Sequence, residues 1–144
     1  MREWYAEAAV LFGYMRHIVL LAARWLLAFG FLQPAMMKLN DFSGTERFFQ
    51  SLHIPFYVFF AHLVPMIEAS GIVLLVLGLF TRIISLFLAI IMITAIVLVH
   101  WSNGFSVANN GFEIPLYYLL FSLIFMAFGP GKYSLDYLMF KEER

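Results

Sequence analysis

The sequence predicts an all-α integral membrane protein, a four-helix bundle, and three observations carry that prediction. Of its 144 residues 63% are hydrophobic and only 12% charged, against roughly 45–50% and 25% in an average soluble domain. A single water-soluble domain this small could not bury so much apolar surface, so the apolar side chains must face lipid. The apolar residues also gather into runs close to the ~20 residues a helix needs to cross a hydrocarbon core about 30 Å thick. Four such runs, 18–37, 56–80, 83–99 and 114–128, are bounded by charges, Gly or Pro. Nine basic residues balance nine acidic ones, which argues against a nucleic-acid surface. The chain has no Cys, so it cannot itself supply disulfides, thiol redox chemistry or thiolate metal ligands.

Before the first span, residues 1–17 place Trp4, Ala8, Leu11, Phe12 and Met15 at a helical spacing that Val19 continues inside the span. That pattern reads either as an amphipathic helix on the membrane surface or as an extension of the first span. The first run is too long for a signal peptide and lacks a small-residue cleavage site, so it is expected to be retained. Residues 18–140 then form the four-helix domain and 141–144 a cytoplasmic tail. The last two runs are short, as spans with ends drawn toward the interface can be. Between spans one and two, Thr45 is the expected cap of a short helix that stops at Pro55. Between spans three and four, Asn103-Gly104 and Asn110-Gly111 favour tight turns. After the fourth span, Gly129-Pro130-Gly131 ends the helix.

Basic residues in the flanks set orientation. Arg2, Arg16, Arg82, Lys132, Lys141 and Arg144 lie on the side of the termini, and Lys38 and Arg47 on the other. Six against two places both termini in the cytoplasm of an inner-membrane protein.

Ionisable groups at membrane depth are costly and by default face a bundle interior. Arg24 in the first span and Glu68 in the second are two such groups, and either charge alone would be expensive there. The reading is therefore a buried Arg24–Glu68 ion pair, acting as a register device or as a proton-handling or ligand-anchoring site. Its helices carry matching stripes: Arg24, Ala28, Phe31, Ala35 and Lys38 on the first, Glu68, Gly71, Leu75, Gly78 and Arg82 on the second. A second group, Lys38, His62, His100 and Glu113, is expected at one level near the outer ends of four helices, with Tyr117 one turn after Glu113. Such a rim offers a quinone headgroup, a small anion or a metal suitable partners, or serves only for interfacial anchoring. Two imidazoles, His62 and His100, also allow a haem, a less favoured reading. No catalytic residue is assigned, and no P-loop, G-x-S-x-G or H-E-x-x-H motif is present.

Several of these segments resemble the DoxX family of small four-helix membrane proteins. The resemblance rests on Arg24, Lys38-Leu39, FSGTERFFQSLHIP, the block EASGIVLLVLGLFTR from Glu68 to Arg82, His100, NGFE from Asn110 to Glu113, and GPGKYSLD from Gly129 to Asp136. Where the family often has Gly shortly before the Lys, this chain has Ala35-Met36-Met37. The resemblance implies a membrane redox setting: similar members include a subunit of thiosulfate:quinone oxidoreductase and a protein that joins a superoxide-dismutase and sulfurtransferase assembly. The expected function is an accessory subunit of a sulfur or oxidative-stress redox system that engages quinone and carries no redox cofactor of its own. The alternative is a non-enzymatic scaffold or assembly factor. Expected partners are membrane lipid and either other subunits or further copies of the chain, without nucleic acid.

Overall fold

The first apolar run belongs to a helix far longer than one membrane crossing. In a computed structural model, which describes residues 2–140, α1 runs unbroken over Arg2–Asn40, 39 residues, about 58 Å at 1.5 Å per residue. The segment before residue 18 is thus an extension of the first span, and no break sets it off as a separate helix. Pro34 is accommodated inside α1. The expected tail, residues 141–144, lies outside the described residues.

Asp41 ends α1 and begins α2, Phe42–Ser51, by accepting from the amide of Gly44 at 2.7 Å. The cap is therefore Asp41 rather than Thr45, whose hydroxyl bonds back to the Asp41 carbonyl at 2.9 Å inside the helix. A turn through His53 and Phe56, both left-handed at φ 57 and 54, leads to α3, Tyr57–Leu77. Gly78, also left-handed, closes α3, and α4 follows over Thr81–Ala95. Its C-terminal end widens into a π turn at Ile96–His100 and tightens into a 3-10 turn at Trp101–Asn103. A looped segment then reaches α5, Glu113–Phe128, and a short α6, Leu135–Phe140, completes the described chain. No strand occurs among the described residues.

Helix α1 packs on α3, α4 on α5, and α3 on α4, while a lighter α1–α5 contact closes the bundle. Leu27, Phe31, Leu75, Leu88 and Phe125 fill the middle. Lipid supplies no hydrophobic drive between helices, so close approach must supply the attraction. Buried Ala28, Ala35, Ala61, Gly71 and Ala89 provide it. A methyl at Gly71 would already meet Leu88 at 3.3 Å. At Gly30 the ring of Tyr118 occupies the place of a side chain, and it packs 5.3 Å from Phe31. Large apolar side chains such as Leu26, Phe29, Val73, Phe87, Ile90 and Leu120 point outward, as a lipid solvent requires. Three helical stretches, Glu3–Asn40, Tyr57–Leu77 and Thr81–Asn103, are long and apolar enough to cross a membrane, and α5 is a shorter apolar helix beside them.

Candidate functional site

Two polar clusters lie at different levels of the bundle. One is at the proximal end, where the α3–α4 turn and the chain after α5 meet α1, and the other lies toward the distal end.

The proximal cluster is built on Arg24. Its guanidinium is buried and donates to the carbonyl of Pro130 at 3.0 Å and to that of Tyr133 at 2.8 Å. The Gly129–Gly131 stop leaves these carbonyls outside any helix, and a planar fork of donors suits two of them at once. Buried Asp136 attracts the same guanidinium. Its carboxylate accepts from the amides of Phe80 at 2.7 Å and Thr81 at 2.9 Å. A carboxylate carried on α6 thus satisfies the first free amides of α4, where negative charge is favoured. The Asp136 amide in turn donates to the Gly78 carbonyl at 2.9 Å, and Arg82 donates to Met126 at 2.8 Å. This cluster ties α1, the α3–α4 turn and the chain after α5 together. Nearby on α4, Thr81 Oγ1 and Ser85 Oγ are buried without a protein partner, as is Arg24 Nε.

The distal cluster is an ion pair. Lys38 Nζ lies 2.9 Å from Glu68 Oε1 and 2.8 Å from Oε2, and its third donor reaches the Pro34 carbonyl at 3.4 Å. Glu68 is 1% exposed and the Lys38 side chain 23%, so the pair is open to its surroundings only along the lysine side chain. Glu68 sits about 17 Å along α3 from Tyr57, hence well inside the bundle. Helix α2 rises beside the first turns of α3, with Phe42 stacked on His62 at 4.5 Å and with Thr45 and Phe49 buried.

The expected Arg24–Glu68 pair is not formed. Both residues are buried, but each has other partners, because Arg24 and Lys38 are separated by about 21 Å along α1 and only Lys38 is level with Glu68. The expected rim also divides. His62 Nδ1 is 2.9 Å from the Val58 carbonyl and 3.7 Å from Glu46. His100 Nδ1 is 2.8 Å from the Asn110 carbonyl. Glu113 accepts from the Val107 amide at 2.9 Å and from the Tyr117 hydroxyl at 3.1 Å. His100, Glu113 and Tyr117 therefore organise the distal loop, while Lys38 belongs to the buried pair. Among the described residues no three His, Asp or Glu come together in a way that could hold a metal. Asp136 had no individual signal in the sequence, where it read only as part of the segment after a helix stop.

The DoxX family model matches residues 19–101, more than half of the chain. A Haemophilus influenzae protein described only as uncharacterized is 31% identical over 128 residues, covering 86% of this chain and 85% of its own. The "Putative oxidoreductase CatD" of Bacillus subtilis is 32% identical over 115 residues, 79% of this chain and 81% of that one. The inner membrane protein YphA of Escherichia coli is 31% identical over 134 residues, 87% and 93% of the two chains. No solved structure matches. The matched span takes in both Arg24 and the Lys38–Glu68 pair, and with relatives aligned over most of their length, the chain belongs to the DoxX family of membrane proteins.

Proposed function

We propose that this protein is an accessory subunit of a bacterial inner-membrane redox system, of the sulfur or oxidative-stress kind, and that Lys38 and Glu68 form its quinone-engaging element. The observation that carries the reading is the buried ion pair itself. Charges at this depth are expensive, and those retained there commonly serve a ligand or proton path. The name of the Bacillus subtilis relative supports a redox setting. The residues fit a quinone headgroup in one respect. The 3.4 Å bond from Lys38 to Pro34 is the longest of its three, so that donor can turn to a quinone carbonyl while the other two stay on Glu68. The six-to-two basic flanks support cytoplasmic termini, which a reporter fused after Arg144 tests directly.

The test is solvent extraction and mass spectrometry of the purified protein beside Glu68→Gln and Lys38→Met. Quinone should accompany the parent chain and be lost from both variants, which still insert. Absence of quinone from the parent, or its retention by both variants, would leave the pair a structural one. A specific observation favours that second reading, a non-enzymatic scaffold: all three Lys38 donors already have acceptors within the protein. In that case a partner should co-purify equally well with the parent and with Glu68→Gln.

A further inference from the structure

We infer that the distal loop between α4 and α5 is a lipid-inserted wedge, seated in the interface of the distal leaflet rather than standing in water.

The first support is a difference in helix length. Arg82 near the start of α4 bonds to the Met126 and Ala127 carbonyls near the end of α5 at 2.8 and 3.3 Å, so the two helices are level at the proximal end. From there the α4 stretch continues helically to Asn103, about 32 Å, whereas α5 reaches only to Glu113, about 21 Å. A step of about 10 Å remains above α5. Because α5 is shorter than the ~30 Å hydrocarbon core, the loop that fills this step lies at membrane depth.

The second support is the way the loop treats its own polar groups. Irregular backbone survives against lipid only when its amides and carbonyls are satisfied internally. Each backbone amide from residue 107 to 113 has an acceptor within the segment: the Glu113 carboxylate, the Ser106 hydroxyl or a loop carbonyl. The Asn110 carbonyl accepts from both His100 Nδ1 and Asn103 Nδ2, at 2.8 and 3.1 Å. Here the His100 imidazole carries its proton on Nδ1. Glu113 is engaged twice, and residues 101–112 include no charged side chain at all.

The third support is what the loop shows to the outside. Trp101, Phe105 and Val107 are 66%, 51% and 54% exposed, and Trp101 stacks on Phe112 at 5.3 Å. Trp is enriched at membrane–water interfaces, and the exposed Phe105 and Val107 beside it add apolar surface without charge. A water-soluble partner would leave the step above α5 and the internal pairing of the 107–113 amides without a cause.

The chain has three Trp and no Cys, which makes the test direct. The Trp4→Phe/Trp25→Phe chain, reconstituted in phosphatidylcholine–phosphatidylglycerol vesicles, reports on Trp101 alone. Lipid brominated high on the acyl chain should quench its emission about twofold or more, and aqueous iodide should quench it only weakly. Because Trp25 donates to the Val76 carbonyl at 3.2 Å and its loss could disturb folding, a second chain keeps every Trp. In that chain Ala108→Cys carries an environment-sensitive fluorophore, whose emission should shift to the blue and respond to the same bromolipid. Free iodide access with no bromolipid response from either chain would put the loop in water, where a protein partner becomes its occupant, and would overturn the inference.

Discussion

Lys38 on α1 and Glu68 on α3 form a two-pronged ion pair at 2.9 and 2.8 Å, with the carboxylate almost wholly buried. The pair meets inside the bundle because α1 ends at Asn40, and α2 rather than α1 covers the first turns of α3. A charge placed there is tolerated only with its partner.

Removing one partner should therefore cost more than removing both. Glu68→Ala or Lys38→Ala is expected to destabilise the protein by about 3 kcal/mol, the lower end for a buried pair, since Lys38 keeps some exposure. The Glu68→Leu/Lys38→Met double variant should recover most of that loss. Unfolding in mixed micelles measures all of these, and a double variant as unstable as the sum of the singles would remove the pair from the account of stability.

Asp136 supplies from α6 the cap that α4 lacks. Asp136→Ala should cost about 2 kcal/mol, the upper range for loss of a cap, because it frees two amides and takes an acid away from Arg24. Asp136→Asn keeps one acceptor and should cost about half as much. Amide exchange at Phe80 and Thr81 should accelerate in both variants.

Arg24 spans two carbonyls that one ammonium cannot reach in the same geometry. Arg24→Lys should consequently lose about 1–2 kcal/mol through one broken charge-assisted bond. Stability in the same micelles tests this. Full retention would show that charge alone suffices.

At Gly30 a methyl group would enter the space of the Tyr118 ring. Gly30→Ala should destabilise by about 1–3 kcal/mol, as overpacking does, and Tyr118→Ala in the same chain should relieve part of it. Thermal unfolding of the two single variants and the double decides whether they couple.

Ser85 presents a buried hydroxyl with no protein partner. Ser85→Ala should leave stability unchanged or raise it by up to about 1 kcal/mol, since no bond is lost and an unsatisfied group is removed. A clear loss of thermal stability would contradict this.

Much of the architecture was legible in the chain itself. Hydropathy over lengths near 20 residues is a direct consequence of bilayer thickness, so the helical membrane class followed from composition and run length. Burial of Arg24 and Glu68 followed from the cost of charge in lipid, and helical periodicity placed Arg24 and Lys38 on one stripe. Periodicity defines the direction a side chain takes around a helix but not how far one helix slides along another. That axial offset is set by α2 and by the α1–α3 packing, so only the tertiary structure matched Glu68 with Lys38 and left Arg24 to the chain after α5. Asp136 at the start of α4 and the Glu113 carboxylate folded back on Val107 depend likewise on contacts between segments distant in sequence or on the exact turn of a loop. The alphabet of the chain determined that it lives in lipid, and the relative height of its helices decided which of its charges meet.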